Sequence, residues 1–372
     1  EINGGTYTSS NDDENAIRAE GGVTATLNNV NVEKTDGSAS SSDASSFYGL
    51  NAAILALDGA TLTINGGSVT ATTEGSNGVF AYDGATIYIT DSEITVSGGN
   101  AGAIEVAGGG STYATNLTVN ATVKAAIRSD RGGGTLVVDG GTYTTSGSSG
   151  APAIYSTADI TVSNATLISN DSEAVVVEGL NSVTIINSDV TGNMSGTYGD
   201  DSGENIQNVM LYQSMSGDAE TGTSVFTMIG GSLVSKNGDM FYITNTNSIV
   251  NLTGVDLTLA DGTYLILVAG NDGSRGWGTE GSNGGNLTEQ IISGDIMVDS
   301  ISELTMTISN SSSYTGTINS DGTTASLLSV TIDDSSTWTL TGDSYITELN
   351  GSIDNVLVNG YTLYVNGTAM VD

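Results

Sequence analysis

The sequence has no cysteine, no histidine and one proline, and only seven of its 372 residues are lysine or arginine. Without cysteine, disulfides and thiolate metal sites are excluded, and pairing says nothing about the redox compartment. Without histidine, the side chain that most often serves as general base and metal ligand near neutral pH is missing. Against the seven cations stand 42 Asp and Glu, for a net charge of -35. So few scattered cations cannot neutralise a phosphate backbone, which argues against nucleic acid as a partner. Acidic membrane surfaces and polyuronate polymers would be repelled at low salt. No apolar run approaches the ~20 residues of a membrane span, so no direct membrane insertion is expected. No signal peptide or sorting motif is visible, and because Glu1 opens inside a repeat the chain reads as a processed product or a fragment. The acidity suits solubility or an exterior rich in divalent cations.

What the sequence has in quantity is glycine, 51 residues of it, together with Ser, Thr and Asn. High net charge with modest apolar content is a signature of disorder, but a regular apolar period contradicts that. The stretch "DGATLTING" at 58–66 returns as "DGATIYITD" at 83–91. Anchoring each copy on the residue before its turn gives Ile2, Leu27, Ile64, Ile89, Ala114, Val138, Val162, Ile185, Met228 and Leu252. Most successive intervals are 23–25 residues, and the intervals of 37 and 43 are lengthened as loop insertions would lengthen them.

Two residues after each anchor stands Gly4, Asn29, Gly66, Asp91, Asn116, Gly140, Asn164, Asn187, Gly230 or Gly254. Only the residue types that tolerate left-handed backbone occur there, so each is expected to turn the chain sharply. Five residues after each anchor the side chain is apolar, as at Val69 and Ile94, and the preceding one is polar, as at Ser68 and Glu93. That alternation is the period-2 signature of a strand with one buried face. A second strand precedes the turn, as in Thr61–Ile64, and a third comes earlier still, as in "NAAILAL" at 51–57 and "NGVFAY" at 77–82.

Three short strands and three corners in about 24 residues predict an all-β, single-stranded, right-handed parallel β-helix of roughly 13 coils. Coils at ~4.8 Å spacing would form a rod on the order of 60 Å long. Left-handed hexapeptide helices, calcium-binding nonapeptide rolls, leucine-rich repeats and propeller blades differ in period or motif. One continuous solenoid is expected over 1–372, with regular coils over 1–270 and insertions at about 33–48 and 192–208. A Gly-rich loop is expected to project at 270–290, and after about 258 the register loosens. Larger apolar groups such as Trp338, Leu340 and Leu363 mark 333–372 as cap-like coils.

The repeats "LTINGGSVTAT" (62–72) and "LVVDGGTYTTSG" (136–147), with the closing "STWTLTGDSYITELN" (336–350), resemble bacterial surface adhesins and autotransporter-type passenger proteins with pectate-lyase-like β-helices. The resemblance spans nearly the whole chain and is one of architecture, because its motifs are repeat motifs. It implies an extracellular or cell-surface adhesin or stalk that is not an enzyme and requires no cofactor. Its partner would be a host or cell-surface glycan or protein, or the chain itself through end-to-end or lateral assembly. A head-to-tail fibre subunit is the alternative, and a polysaccharide lyase or hydrolase comes third.

Individual residues bear on these readings. Hydrolases of such a fold need paired carboxylates, usually beside a histidine, and lyases need a cationic base. Asp58 and Asp83 fall at equivalent corners, where turn formation accounts for them, and Arg128 with Arg131 is the only close cationic pair. Asp12, Asp13, Asp200, Asp201 and Glu204 are oxygen donors on loops and make Ca²⁺ a possible ligand. Arg275 and Trp277 on the Gly-rich loop could stack on a sugar ring, or Trp277 could fold back and pin the loop. Outward Thr-x-Thr pairs such as Thr61/Thr63 are interrupted by Tyr88 and Val137, which argues against an ice-matching array.

Overall fold

A computed structural model describes residues 1–148, 150–197, 205–214, 216–270, 282–288 and 290–370, with the strand at 282–288 described by its backbone alone. The fold is almost entirely β, and its sheets are built from parallel strands, as a β-solenoid requires. The described residues divide into two compact units, Glu1–Val176 with Asn181–Gly196, and Val177–Leu180 with Thr197–Asp372.

In the first unit the anchors pair with one another. Ile2 lies beside Leu27, Leu27 beside Ile64, Ile64 beside Ile89, and the ladder continues through Ala114, Val138, Val162 and Ile185. The strand after the turn forms a second ladder, in which Val32, Val69, Ile94, Val119, Tyr143, Leu167 and Val190 are successive partners. The earliest strand of each repeat forms a third, through Ile17, Ile54, Val79, Ile104, Ile127 and Ile154. Because side chains alternate along a strand, fixing one inward residue per ladder buries the whole row. Ile54, Val79, Ile104, Ile89, Val138 and Ile94 are all inaccessible. Each such side chain is worth roughly 1.5–3 kcal/mol of transfer free energy.

Corners convert the strands into a winding path. All ten turn residues named from the sequence have φ between 48° and 73°, the left-handed region. Asp58 and Asp83 share that conformation at φ 51°, and the amide of Gly59 donates to the carbonyl of Asp83 at 3.1 Å. Equivalent corners therefore satisfy each other's backbone polar groups, as buried ladders must.

In the second unit Met228 pairs with Leu252, Leu252 with Leu287, Leu287 with Ile308 and Ile308 with Ile332. The register that the sequence shows loosening after about 258 is thus carried on through the backbone at Ser282–Thr288. A further ladder joins Ile291–Ser293, Ser313–Thr315 and Thr337–Thr339. Within it Trp338, the partner of Tyr314, is fully buried, stacks on that tyrosine at 5.8 Å, and donates its indole N–H to the Gly316 carbonyl at 3.0 Å. Leu363–Val365 ends the parallel run by pairing antiparallel with Thr368–Ala369 across Asn366 and Gly367, both at positive φ. That pair of φ values is what a two-residue hairpin turn demands.

Candidate functional site

The first-strand ladder of the first unit departs from the half-buried pattern. Its outward row runs Arg18, Leu55, Phe80, Glu105, Arg128 and Tyr155. Leu55, Phe80, Glu105 and Arg128 are nevertheless buried, at 2%, 0%, 0% and 6% exposure, so something covers this face. The cover is the first insertion. The sequence reading makes 33–48 a projecting loop, but Ser42–Tyr48 is a helix lying on the strands.

The helix is defined by its ends. The Ser41 hydroxyl accepts from the Ala44 amide at 3.1 Å as N-cap, and Gly49 closes the helix at φ 71°. Gly49 sits so close to Leu55 and Phe80 that a Cβ would lie 2.6 Å from Leu55 Cδ1. Ala52, Leu55, Phe80 and Ala107 form a small apolar cluster there, flanked by Leu57 and Tyr82, and Tyr48 meets Tyr82 edge-on at 5.5 Å. Asparagines bind the helix backbone to the coils. Asn77 donates to the Ser45 carbonyl at 3.0 Å, Asn100 to that of Ser42 at 3.1 Å, and Asn15 to that of Gly49 at 3.0 Å.

A charged cluster lies beneath the same helix. Arg128 donates through Nη2 to Asp130 Oδ2 at 2.7 Å and to the Ser46 hydroxyl at 3.1 Å. Its Nη1 reaches Glu105 Oε2 only at 3.5 Å, and Glu105 Oε1 has no hydrogen-bond partner among the described residues. Burial drives the Glu105 carboxyl up to about 8, against the pull of Arg128, and so favours its protonated form. Burial likewise depresses the ammonium of Lys124, helped by repulsion from Arg128. Arg131, the second member of the cationic pair, lies over the Phe47 ring at 4.1 Å. Both arginines therefore hold the insertion down. The contrast with Glu178 in the second unit is instructive, because its oxygens accept from the hydroxyls of Tyr212 and Ser214.

The other candidate residues fall in several places. Asp12 accepts from the Ser38 amide at 2.8 Å and Asp13 from the Ser40 amide at 2.7 Å, so both carboxylates fasten the start of the insertion. The bond to Ser40 holds Asp13 below the usual carboxylate range. The buried Lys34 donates to the Asn11 carbonyl at 2.6 Å and places a cation beside this acidic turn. No group of three or more Asp, Glu, His or Cys that could hold a metal occurs among the described residues. Asp200, Asp201, Glu204, Arg275 and Trp277 lie outside the described residues. On the second-strand ladder the outward row runs Thr63, Tyr88, Tyr113 and Val137, and the two tyrosines stack at 5.1 Å. No described helix is long and apolar enough to cross a membrane.

Glu105, Asp130 and the covering helix escape a reading based on alternation, which places the central residue of "IEV" at 104–106 outward and in water. The usable signal is in the neighbouring repeats. "NAAILAL" and "NGVFAY" are apolar at both inward and outward positions, the mark of a strand covered on both faces.

Comparison with known proteins finds no matching family model, no matching curated protein and no matching solved structure.

Proposed function

We propose that the chain is a non-enzymatic extracellular or cell-surface protein of the adhesin or stalk type, whose stiff solenoid presents loops to a partner. On this proposal the solenoid is a right-handed, single-stranded parallel β-helix with about 24 residues and three short strands per coil, in roughly 13 coils. The observation that carries the proposal is the register: in the first unit three parallel ladders pass from coil to coil with their corners in step. A scaffold hydrogen-bonded at every step resists bending, and insertions in a solenoid are where binding concentrates. The partner class is a surface glycan or protein.

Two observations favour this over the alternatives. Arg128 and Arg131 are engaged with Asp130 and Phe47, which leaves a lyase without its cationic pair. The antiparallel hairpin at 363–369 departs from the parallel run that head-to-tail stacking would extend. Purified chain applied to a glycan array and to a panel of surface proteins should show saturable binding without release of reducing sugar. Turnover of a polysaccharide, or filaments of constant width by electron microscopy, would replace the proposal with the enzyme or fibre reading respectively.

A further inference from the structure

The first insertion is held over a group whose charge state is poorly matched to its surroundings. Glu105 is inaccessible, one of its oxygens has no partner, and its other oxygen has a single long contact to a guanidinium whose Nη2 serves Asp130 and Ser46. Ser46 belongs to the helix, so the same guanidinium that would have to answer a charge on Glu105 also tethers the cover. We propose that residues 35–51 form a proton-coupled strap, seated when Glu105 carries its proton and loosened when it does not.

Three properties of the site support this. First, ionised Glu105 would need donors on both oxygens, and Oε1 has none. Relief requires either water, which enters only if the helix lifts, or rotation of Arg128 toward Glu105 at the expense of the Ser46 contact. Both loosen the same helix. Second, the charges facing Glu105 do not cancel the penalty. Arg128 attracts the anion and Asp130 repels it, while Lys124, the remaining cation, is itself disfavoured in its charged form. From the helix side the cluster receives the neutral Ser46 hydroxyl, and Asp43 of the first turn is exposed. Beyond Arg128 in the ladder stands Tyr155. Third, the cover is a short secondary element on an insertion, the kind of segment that opens locally without global unfolding.

The sign and range follow from linkage. With the strap seated burial pushes the carboxyl up to about 8, and with the strap lifted it returns toward its ordinary value of 4.5. Opening therefore becomes more frequent as pH rises between those limits, approaching tenfold per pH unit, and levels off above the upper one. The test is hydrogen exchange on the full chain from pH 5 to 9, corrected for intrinsic base catalysis. The probes are the amides of Ser45, Gly49 and Leu50, which bond within the insertion, with Asn164 as a reference on another corner of the same unit. Protection of the helix amides should fall close to tenfold per unit up to about pH 8 and then flatten, while Asn164 shows no such slope. In Glu105→Gln the slope should vanish. A flat wild-type profile, a slope shared by Asn164, or an unchanged slope in Glu105→Gln overturns the proposal. If Glu105→Gln does not fold, the comparison between helix and reference amides in the wild-type chain decides alone.

Discussion

Two glycine substitutions separate a stacked coil from an ordinary surface loop. Gly84 has φ 68°, and a Cβ added there meets nothing within 4 Å. Gly98 is not at positive φ, but a Cβ there would overlap the Thr73 carbonyl oxygen and lie 2.7 Å from its carbon and 2.9 Å from Ser76 Oγ. Judged by local backbone alone, Gly84→Ala is the costly change and Gly98→Ala the harmless one. Stacking reverses the order. Alanine at Gly84 costs about 1–2 kcal/mol for the left-handed conformation and nothing more. Alanine at Gly98 must push apart two stacked corners, whose preceding strands are spaced at ~4.8 Å. Because the obstacle is main chain, no rotamer change relieves it, and a cost of about 3 kcal/mol or more is expected, the upper end of overpacking. Urea unfolding of the two variants beside wild type measures this through the shift in midpoint. A loss for Gly84→Ala equal to or larger than that for Gly98→Ala refutes the reasoning.

Other expectations follow from the buried cluster and the outer rows. Replacing Arg128 with alanine removes the guanidinium that neutralises the buried Asp130, whose other oxygen accepts from the Arg131 amide, and should destabilise the first unit by roughly 3–5 kcal/mol, measurable by urea titration. Folded Glu105 binds a proton that the unfolded chain releases above the ordinary carboxyl value of 4.5, so stability should fall as pH rises from there to about 8. The integral is at most roughly 5 kcal/mol, and Glu105→Gln should flatten most of the fall. Glu173, also raised by burial, contributes with the same sign and should leave a residual slope. The stacked tyrosines 88 and 113 should show a coupling of about 0.5–1.5 kcal/mol in a double-mutant cycle to serine, and zero coupling would mean that the stack is incidental.

Legibility of this fold in its sequence tracks how local each physical cause is. The anchors Leu27, Ile64 and Ile89 could be aligned by eye because inward residues and left-handed corners must recur at every coil, and those same residues are ladder partners. The pairing of Leu252, Leu287 and Ile308 was hidden, because the insertion between the first two breaks the interval. The helix at 42–48 has no strong intrinsic signal, since "SDASSFY" is rich in residues of middling helix propensity. It is fixed by Ser41, by Gly49 and by partners far along the chain such as Asn77 and Asn100. The burial of Glu105 and Arg128 follows from that helix, so a reading that treats the insertion as a projecting loop must also place them in water. Composition marks Asp12 and Asp13 as oxygen donors on a loop but cannot say that amide hydrogens of the returning chain meet them.

The register itself is open to a direct chemical test, because the chain has no native thiols. Thr86 and Ser111 are partners on neighbouring coils and both point outward, whereas Thr112 is fully buried. Neighbouring parallel strands at about 4.8 Å fall within the Cα separation that a disulfide spans. Cysteines at 86 and 111 should therefore cross-link under mild oxidation, and cysteines at 86 and 112 should not. Efficient bridging of the second pair but not the first, or of neither, would contradict the stacked winding on which the rest depends.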